Sequence, residues 1–141
     1  MSVTEVHYQT MSEARAHFST LIDAAEAGVP ATVRRDKRRA AVVDADRLLH
    51  FLVSVHPARA EVVAEAGGWS VLLPDLPIAA DGETFDEALD EMVAALREYA
   101  EDWADHLRHA TNHEQNWGLV QIIDLSSEEQ LKDWLRGDRV S

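Results

Sequence analysis

Five cationic side chains fall within six consecutive residues in the first third of the chain. Arginine and lysine donate hydrogen bonds to phosphate oxygens, and arginine can do so with two parallel bonds. So many cations in a short stretch cannot be buried, so we predict a solvated turn between two strands. Taken alone, the residues slightly favour a plain hairpin tip over a phosphate site. They are Arg34, Arg35, Lys37, Arg38 and Arg39.

Three histidines form a second pattern that could do chemistry. His106, His109 and His113 recur at spacings of three and four residues beside Asp102 and Asp105. On a continuous helix, these imidazole and carboxylate groups could approach one metal ion. The alternative is an exposed polar helix end, and we favour it. We therefore predict no metal and no other cofactor.

Catalytic patterns are weak in this sequence. No serine, histidine and carboxylate have a recognised catalytic spacing, and no glycine-rich phosphate loop follows a predicted strand. Acidic residues are numerous, but nothing selects a general acid–base pair among them. We predict that the protein is not an enzyme.

Length and composition bound the class of protein. The 141 residues allow one domain or two small ones, and a hydrophobic content of 46% supports a packed core. The absence of cysteine excludes disulfides and thiolate metal sites. No apolar run approaches the roughly 20 residues of a membrane span. The N-terminus MSVTEVHYQT lacks the features of a signal peptide, so we expect a cytoplasmic protein without membrane association.

Charge is distributed very unevenly along the chain. The formal net charge is −13, yet residues 1–57 hold seven Lys/Arg and seven Asp/Glu. Residues 58–141 hold six Lys/Arg and nineteen Asp/Glu. Such asymmetry favours two different partners. The neutral front can still attract phosphate locally, because attraction acts over roughly 8 Å at physiological salt.

Hydrophobic spacing predicts the elements that hold the basic turn. A short strand at Glu5–Gln9 precedes a helix that Ser12 caps and Gly28 ends. Strands at Ala31–Val33 and Ala40–Val43 flank the turn. A second helix should follow, beginning at Asp44 or Asp46, ending near Val55 and burying Leu48, Leu49, Leu52 and Val53.

This front stretch resembles the N-terminal domain of the Phd/YefM family of type II antitoxins. The matching features are the SEAR opening after a first strand, the helix ending in glycine, the basic turn, and the AAVV strand leading into a second helix. The resemblance covers about residues 1–55. It implies a homodimer or higher homo-oligomer, binding to the antitoxin's own operator DNA, and a C-terminal segment that neutralises a toxin.

The resemblance also shifts the interpretation of the cations towards DNA contacts. Arg15 is the arginine of the SEAR motif, and the resemblance implies that this arginine contacts operator DNA. We place Arg15 in the first turn of the helix, where a positive charge interacts unfavourably with the helix dipole. Arg15 and Arg35 are the best candidates for base edges, and the other cations would hold phosphates. The predicted DNA-binding residues are Arg15, Arg34, Arg35, Lys37, Arg38 and Arg39.

The second half begins with predicted strands and a long helix. Strands are expected at Glu61–Ala66 and Trp69–Leu73 around a Gly67-Gly68 turn, with a third at Ile78–Ala80. A capping box at Thr84–Glu87 then opens a helix of about 25 residues, or roughly 37 Å. Its apolar stripe is Phe85, Leu89, Met92, Leu96, Tyr99, Trp103 and Leu107.

The end of the chain is predicted as a strand and a helix. Gly118–Leu125 is expected to be a strand because Val120, Ile122 and Ile123 favour one. Ser126 or Ser127 would cap a final helix that Gly137 ends. The boundary between domains is placed in residues 56–60, which gives domains of residues 1–57 and 58–141.

Residues 60–107 resemble the core of the HicB antitoxins. The matching elements are an aromatic strand after a glycine pair, the PDLP element, and GETFDEAL at the start of a helix. Ile78 stands where that family usually has glycine, and no DNA-binding module follows the core. The predicted fold is therefore α+β: a dimerising Phd/YefM-like small sheet with two helices, then a HicB-like β-β-β-α-β domain and a short C-terminal helix.

The acidic helix has two interpretations. It could be an ordinary solvated face, or a surface for a basic toxin, since complementary charge speeds and selects encounter. Tryptophans are usually core residues, but they dominate binding when exposed. The predicted toxin-binding residues are Asp86, Glu87, Asp90, Glu91, Glu98, Asp102, Trp103 and Trp134.

Three functions are consistent with the sequence. The first, which we favour, is a dimeric antitoxin that represses its own operon and neutralises a toxin, with a RelE-like ribonuclease as the expected partner. The second is a dimeric transcriptional regulator whose acidic half senses a ligand or multimerises. The third is a small metal-dependent enzyme.

Overall fold

The structure is a computed structural model that describes residues 4–137. Residues 1–3 of the first predicted domain and residues 138–141 of the second lie outside this part. The chain packs as two units, one up to Leu48 and the other from Leu49. The elements are β1 (Val6–Tyr8), α1 (Met11–Ala16), α2 (Phe18–Ala27), β2 (Ala31–Arg35), β3 (Arg38–Ala41), α3 (Ala45–Val55), β4 (Glu61–Glu65), β5 (Gly68–Leu73), β6 (Ile78–Gly82), α4 (Phe85–Asp102), a π-helical turn (Trp103–Leu107), a 3-10 turn (Glu114–Asn116), α5 (Trp117–Leu125) and α6 (Glu128–Arg136).

The first unit is a three-stranded sheet with helices packed against it. Strand β2 pairs in parallel with β1 and antiparallel with β3. Helices α1 and α2 make the crossover that a parallel pair requires. The buried core is small and consists of Ala14, Leu21, Ala24 and Ala31, with partly buried valines and Tyr8 around it. The α+β class predicted from sequence is confirmed.

The first predicted helix is in fact two helices. Thr10, and not Ser12, caps α1: its hydroxyl accepts a hydrogen bond from the Glu13 N–H at 3.1 Å. His17 leaves the helical backbone region, with φ −123° and ψ 34°, and its ring stacks on Tyr8 with centroids 5.5 Å apart. Gly28 ends α2 in the left-handed conformation, as predicted.

Helix α3 begins where it was predicted and contributes to both units. Asp44 accepts a hydrogen bond from the Arg47 N–H at 3.1 Å. The Arg47 guanidinium donates to the carbonyls of Ala25 and Glu26 at 3.2 and 2.8 Å. Ala25 also accepts from the Gly28 N–H, so the carbonyl of Glu26 is the acceptor at the end of α2 that Arg47 satisfies. Leu49 and Leu52 are buried. The packing boundary therefore falls inside α3.

The second unit is an antiparallel sheet in the order β4-β5-β6, covered by α4. Helix α4 packs on β5 and β6, and the turn between β6 and the helix is tight. A Cβ on Gly82 would lie 2.4 Å from the backbone nitrogen of Ala88. Only glycine allows the end of β6 and the start of α4 to approach so closely.

The predicted cap and apolar stripe of α4 are present. The Thr84 hydroxyl accepts from the Glu87 N–H at 3.1 Å, and Glu87 accepts from the Glu83 N–H at 3.0 Å. The latter bond reaches one residue further back than in the predicted box. Leu89, Met92 and Leu96 are fully buried. The α-helix ends at Asp102 and passes into the π-helical turn, so it is shorter than predicted.

The strand predicted at Gly118–Leu125 is wrong, because these residues form helix α5. The apolar side chains of this segment recur with helical spacing, and Leu119, Val120, Ile122 and Ile123 are all buried. The helix packs on α4. Arg97 of α4 donates to the carbonyls of Ile123 and Ser126, which satisfies the C-terminal end of α5. From β4 to α6, the order of strands and α-helices in the second unit is thus β-β-β-α-α-α.

The final helix agrees with the sequence. Ser127 and Gln130 form a reciprocal capping box, and Gly137 ends α6 with φ +87°. Leu131, Trp134 and Leu135 are buried, and the Trp134 indole donates to the His56 carbonyl at 3.0 Å. Within residues 4–137, no helix combines the length and the apolar character that crossing a bilayer requires.

We expect Gly82→Ala to destabilise the second unit by about 1–3 kcal/mol, because the added methyl must displace backbone of α4. Urea unfolding followed by circular dichroism measures the change. Gly118→Ala is the matched control: its methyl would have only an ordinary contact, 3.8 Å from Leu52. That variant should be neutral or gain up to about 1 kcal/mol from helix propensity. Equal unfolding midpoints for wild type and Gly82→Ala would contradict the close approach.

Candidate functional site

The predicted basic turn is a β-hairpin, which we call the basic hairpin (residues 31–41). Strands β2 and β3 pair up to Arg35 and Arg38, leaving Asp36 and Lys37 as a two-residue turn. Asp36 has a φ of +53°, a left-handed conformation that aspartate tolerates better than most residues. All residues from Arg34 to Ala40 are exposed. The prediction of a solvated hairpin is confirmed, although most of its cations lie in the strands.

Arginines face each other across the basic hairpin. Arg34 lies opposite Arg39, and Arg35 lies opposite Arg38. Successive pairs point to opposite faces of a ribbon, so each face carries two guanidinium groups. Like charges directly opposite each other destabilise a strand pair. The hairpin therefore has positive charge on both faces at some cost to its own stability.

The cations of the basic hairpin have few partners of their own. Arg34 Nε donates to the Asp36 carbonyl at 3.1 Å. Among the ion pairs of residues 4–137, none involves a cation of the hairpin. Arg35, Asp36, Lys37 and Arg38 also line a concave surface at the tip. Such a surface can bind phosphate oxygens without first breaking internal salt bridges.

Arg15 is exposed, but its place in the helix differs from the prediction. It lies in the last turn of α1 because this helix begins at Met11 and ends at Ala16. A cation there interacts favourably with the helix dipole, not unfavourably. The argument that Arg15 costs local stability is therefore wrong. Its exposure keeps it available to a ligand.

The predicted acidic face of α4 is exposed, but part of it is already paired. Asp90 forms a salt bridge with Lys132 of α6, and Asp86 lies 3.7 Å from Arg136. The hydrogen bond to Asp90 raises the pKa of Lys132 above its ordinary value, so the lysine stays charged. Glu87 is held by the helix cap. The cations of α6 thus neutralise the N-terminal part of this face.

Further along α4, the predicted carboxylates have no such partners. Glu91, Glu98 and Asp102 are exposed, and no ion pair within residues 4–137 involves them. We call these three residues the free acidic row. Its charge is available to a cationic partner, in contrast to that of Asp86 and Asp90.

The two tryptophans predicted as contacts lie in the packing of the second unit. Trp134 is only 3% exposed. Trp103 is half-buried, and its indole donates to the His113 carbonyl at 2.8 Å. Trp117, which is not among the predicted toxin-binding residues, is 53% exposed at the start of α5. Sequence alone does not distinguish these environments, because they depend on which face each helix turns to α4.

The histidines do not converge on one helical face. The helix ends before His106, and the chain passes through a π-helical turn and a loop before His113. His113 Nδ1 instead lies 2.9 Å from the Tyr99 hydroxyl, to which Asn116 also donates at 2.9 Å. In the described part of the chain, no group of three or more His, Asp or Glu could hold a metal ion.

Arg47 and Arg97 stabilise the fold through hydrogen bonds to main-chain carbonyls, and the sequence did not predict this role for either. Each closes the C-terminal end of a helix distant in sequence. A cation within an amphipathic helix gives no signal of such a role, because the carbonyls that it meets are set by tertiary packing.

Comparison with known proteins agrees with this architecture. A crystal structure described as an antitoxin part of a proposed toxin/antitoxin system, from Syntrophomonas wolfei subsp. wolfei, superposes with a TM-score of 0.75. It is 21% identical and covers 90% of this chain and 94% of its own, so the likeness shows the fold. No curated protein matches.

A family pattern also matches the sequence over residues 6–135. The family is PHD-like, described as the antitoxin of toxin–antitoxin systems of the RelE/RelB kind. Its members are regulatory or neutralising proteins and not enzymes. Because the match extends over nearly the whole chain, this protein belongs to the PHD-like family of toxin–antitoxin antitoxins.

Proposed function

We propose that this antitoxin represses its own operon by binding DNA through residues 1–57 and neutralises a RelE-like toxin through residues 58–141. The observation that carries the proposal is the separation of charge. An unpaired cationic hairpin lies in the first unit, and a free acidic row lies in the second. A cytoplasmic location follows from these two partners.

The DNA contact rests on the geometry of the basic hairpin. A two-stranded ribbon is narrow enough for the major groove of B-DNA, which is about 12 Å wide. Guanidinium groups on both faces can then contact bases and phosphates together. We assign base contacts to Arg15 and Arg35, and phosphate contacts to Arg34, Lys37, Arg38 and Arg39. A homodimer would present two hairpins to the two halves of an operator.

The sequence motifs support a composite origin for the two parts. The front follows the Phd/YefM pattern up to α3, and the HicB-like pattern covers β4 to α4. The helix α5 replaces the strand expected after that core, so the HicB-like assignment extends no further. Toxin binding is assigned to the second part, in which the acidic side chains outnumber the basic ones about three to one.

Charge reversal in Arg15→Glu/Arg35→Glu should abolish binding to the DNA upstream of the gene. The loss should reach at least about 100-fold, since each base-edge contact contributes about 1–3 kcal/mol. Electrophoretic mobility shift at several salt concentrations measures it. The control is Arg59→Glu/Arg108→Glu, which makes the same change in net charge at two exposed arginines of the second unit. An unchanged shift in the first variant would refute the assignment.

Charge reversal of the free acidic row should weaken toxin binding. For Glu91→Lys/Glu98→Lys/Asp102→Lys we expect about tenfold or greater loss of affinity, because complementary charge becomes repulsive. Calorimetry with the toxin encoded in the same operon measures affinity, and growth rescue on co-expression gives the cellular readout. The control is Glu83→Lys/Asp124→Lys/Glu129→Lys, three exposed carboxylates of the second unit that precede α4 or lie on α5 and α6. Equal loss in both variants would argue against a local contact.

The two activities should also be separable by truncation within α3. A fragment of residues 45–141 keeps Leu49, Leu52 and the His56 carbonyl, which pack in the second unit. We expect it to rescue growth without shifting DNA. A fragment that begins at residue 58 lacks these groups and should be less stable by a few kcal/mol, on the order of two lost buried leucines. Thermal unfolding of the two fragments compares them.

A further inference from the structure

Strand β4 is an open edge of the second sheet. Within residues 4–137 it pairs with β5 only, and α4 packs on β5 and β6 instead. All five of its residues are exposed, including Val62 at 43% and Val63 at 42%. Exposed edge strands are normally protected by charged side chains, especially lysine, by proline or by a bulge. Strand β4, with the sequence EVVAE and an unbroken register, has no lysine, proline or bulge, and its charged side chains are the glutamates at its two ends.

The register shows which backbone groups face the open edge. A two-residue turn closes the pair Glu65 and Gly68, so these residues exchange hydrogen bonds. Hydrogen-bonded pairs alternate along an antiparallel ladder, which makes Val63–Ser70 and Glu61–Leu72 the next ones. The N–H and C=O groups of Val62 and Ala64 therefore point away from β5. They offer four main-chain bonds to an added strand.

Apolar side chains lie on both faces beside this edge, and one of these faces also carries Glu61 and Glu65. Val62 and Ala64 lie on the same face as Trp69, which is 37% exposed. Val63 lies on the other face with Leu72, also 37% exposed. An added strand would thus bury apolar surface on both sides as well as completing the ladder.

Charge decides which strand can be added. If two β4 strands paired antiparallel along their whole length, a Glu61 of one copy would face a Glu65 of the other at each end of the pair. Like charges directly opposite each other are unfavourable, and residues 58–141 carry a net charge of −13 in each copy. A second copy of this chain is therefore a poor occupant. A strand with basic residues opposite Glu61 and Glu65 gains two ion pairs.

We propose that β4 accepts an extended segment of the toxin as a fourth strand of this sheet. The inference rests on the proposed toxin-binding function and adds a second contact surface to the free acidic row of α4. Glu61, Val63 and Glu65 share one face, and the two carboxylates are about 13 Å apart along the strand. The toxin segment should carry two basic residues four positions apart, with an apolar residue midway between them.

The test uses proline at the open edge of the full-length antitoxin. Ala64→Pro removes one outward N–H and leaves the hydrogen bonds between β4 and β5 in place. We expect calorimetry to show about tenfold or greater loss of affinity for the co-encoded toxin. The toxin carbonyl that faces residue 64 would lose its hydrogen-bond donor. The matched control is Ala79→Pro on β6, the opposite edge. Ala79 lies opposite Leu72 in a pair that does not exchange hydrogen bonds, so its N–H also points outward.

A charge variant supports the proline variant and replaces it if Ala64→Pro does not fold by circular dichroism. Glu61→Lys/Glu65→Lys should also lower toxin affinity, and the residual affinity should depend less on salt. Wild-type affinity in a folded Ala64→Pro protein, or in the charge variant, overturns strand addition. Reduced self-association of Ala64→Pro in size-exclusion chromatography would show a second copy at the edge and would overturn it too. If wild type does not bind the toxin, the proposed function itself fails.

Discussion

Burial of the apolar stripe of α4 is the interaction on which the second unit depends. Leu89, Met92 and Leu96 are fully enclosed, and burying each such side chain contributes about 1.5–3 kcal/mol. Strands β5 and β6 pack on this helix, and so do α5 and α6. The position of α4 therefore determines both surfaces to which we assign a role in this unit. The free acidic row lies on its exposed face, and β4 is the strand that it does not cover.

The first unit is held by a much smaller core, and its charges compete with its stability. Opposed arginines in the basic hairpin repel each other, while only a few alanines, valines and one leucine are enclosed behind it. A sheet of three short strands tolerates this repulsion because the hairpin extends into solvent, where the dielectric constant is high. The same exposure makes the guanidinium groups accessible to an anionic partner.

Most local elements followed from sequence because local interactions decide them. The hairpin, Gly28, the cap at Thr84 and the box at Ser127 depend on residues within a few positions of one another. The errors arose where two local solutions compete. Thr10 and Ser12 are both good caps, and the chain uses the earlier one. The predicted helix also breaks at His17, which places Arg15 in the last turn of a short α1 and reverses the electrostatic argument for that arginine.

The sequence by itself determined where the charge lies, which segments turn, and which residues form the apolar stripe of α4, because these properties are composition and short-range spacing. Only the tertiary structure decided that residues 117–125 form a helix. A run containing Val120, Ile122 and Ile123 suits a strand or a buried helix equally, and the surface of α4 together with the guanidinium of Arg97 selects the helix. The same holds for β4: its residues predict a strand, but whether a neighbour covers a strand depends on contacts between segments distant in sequence.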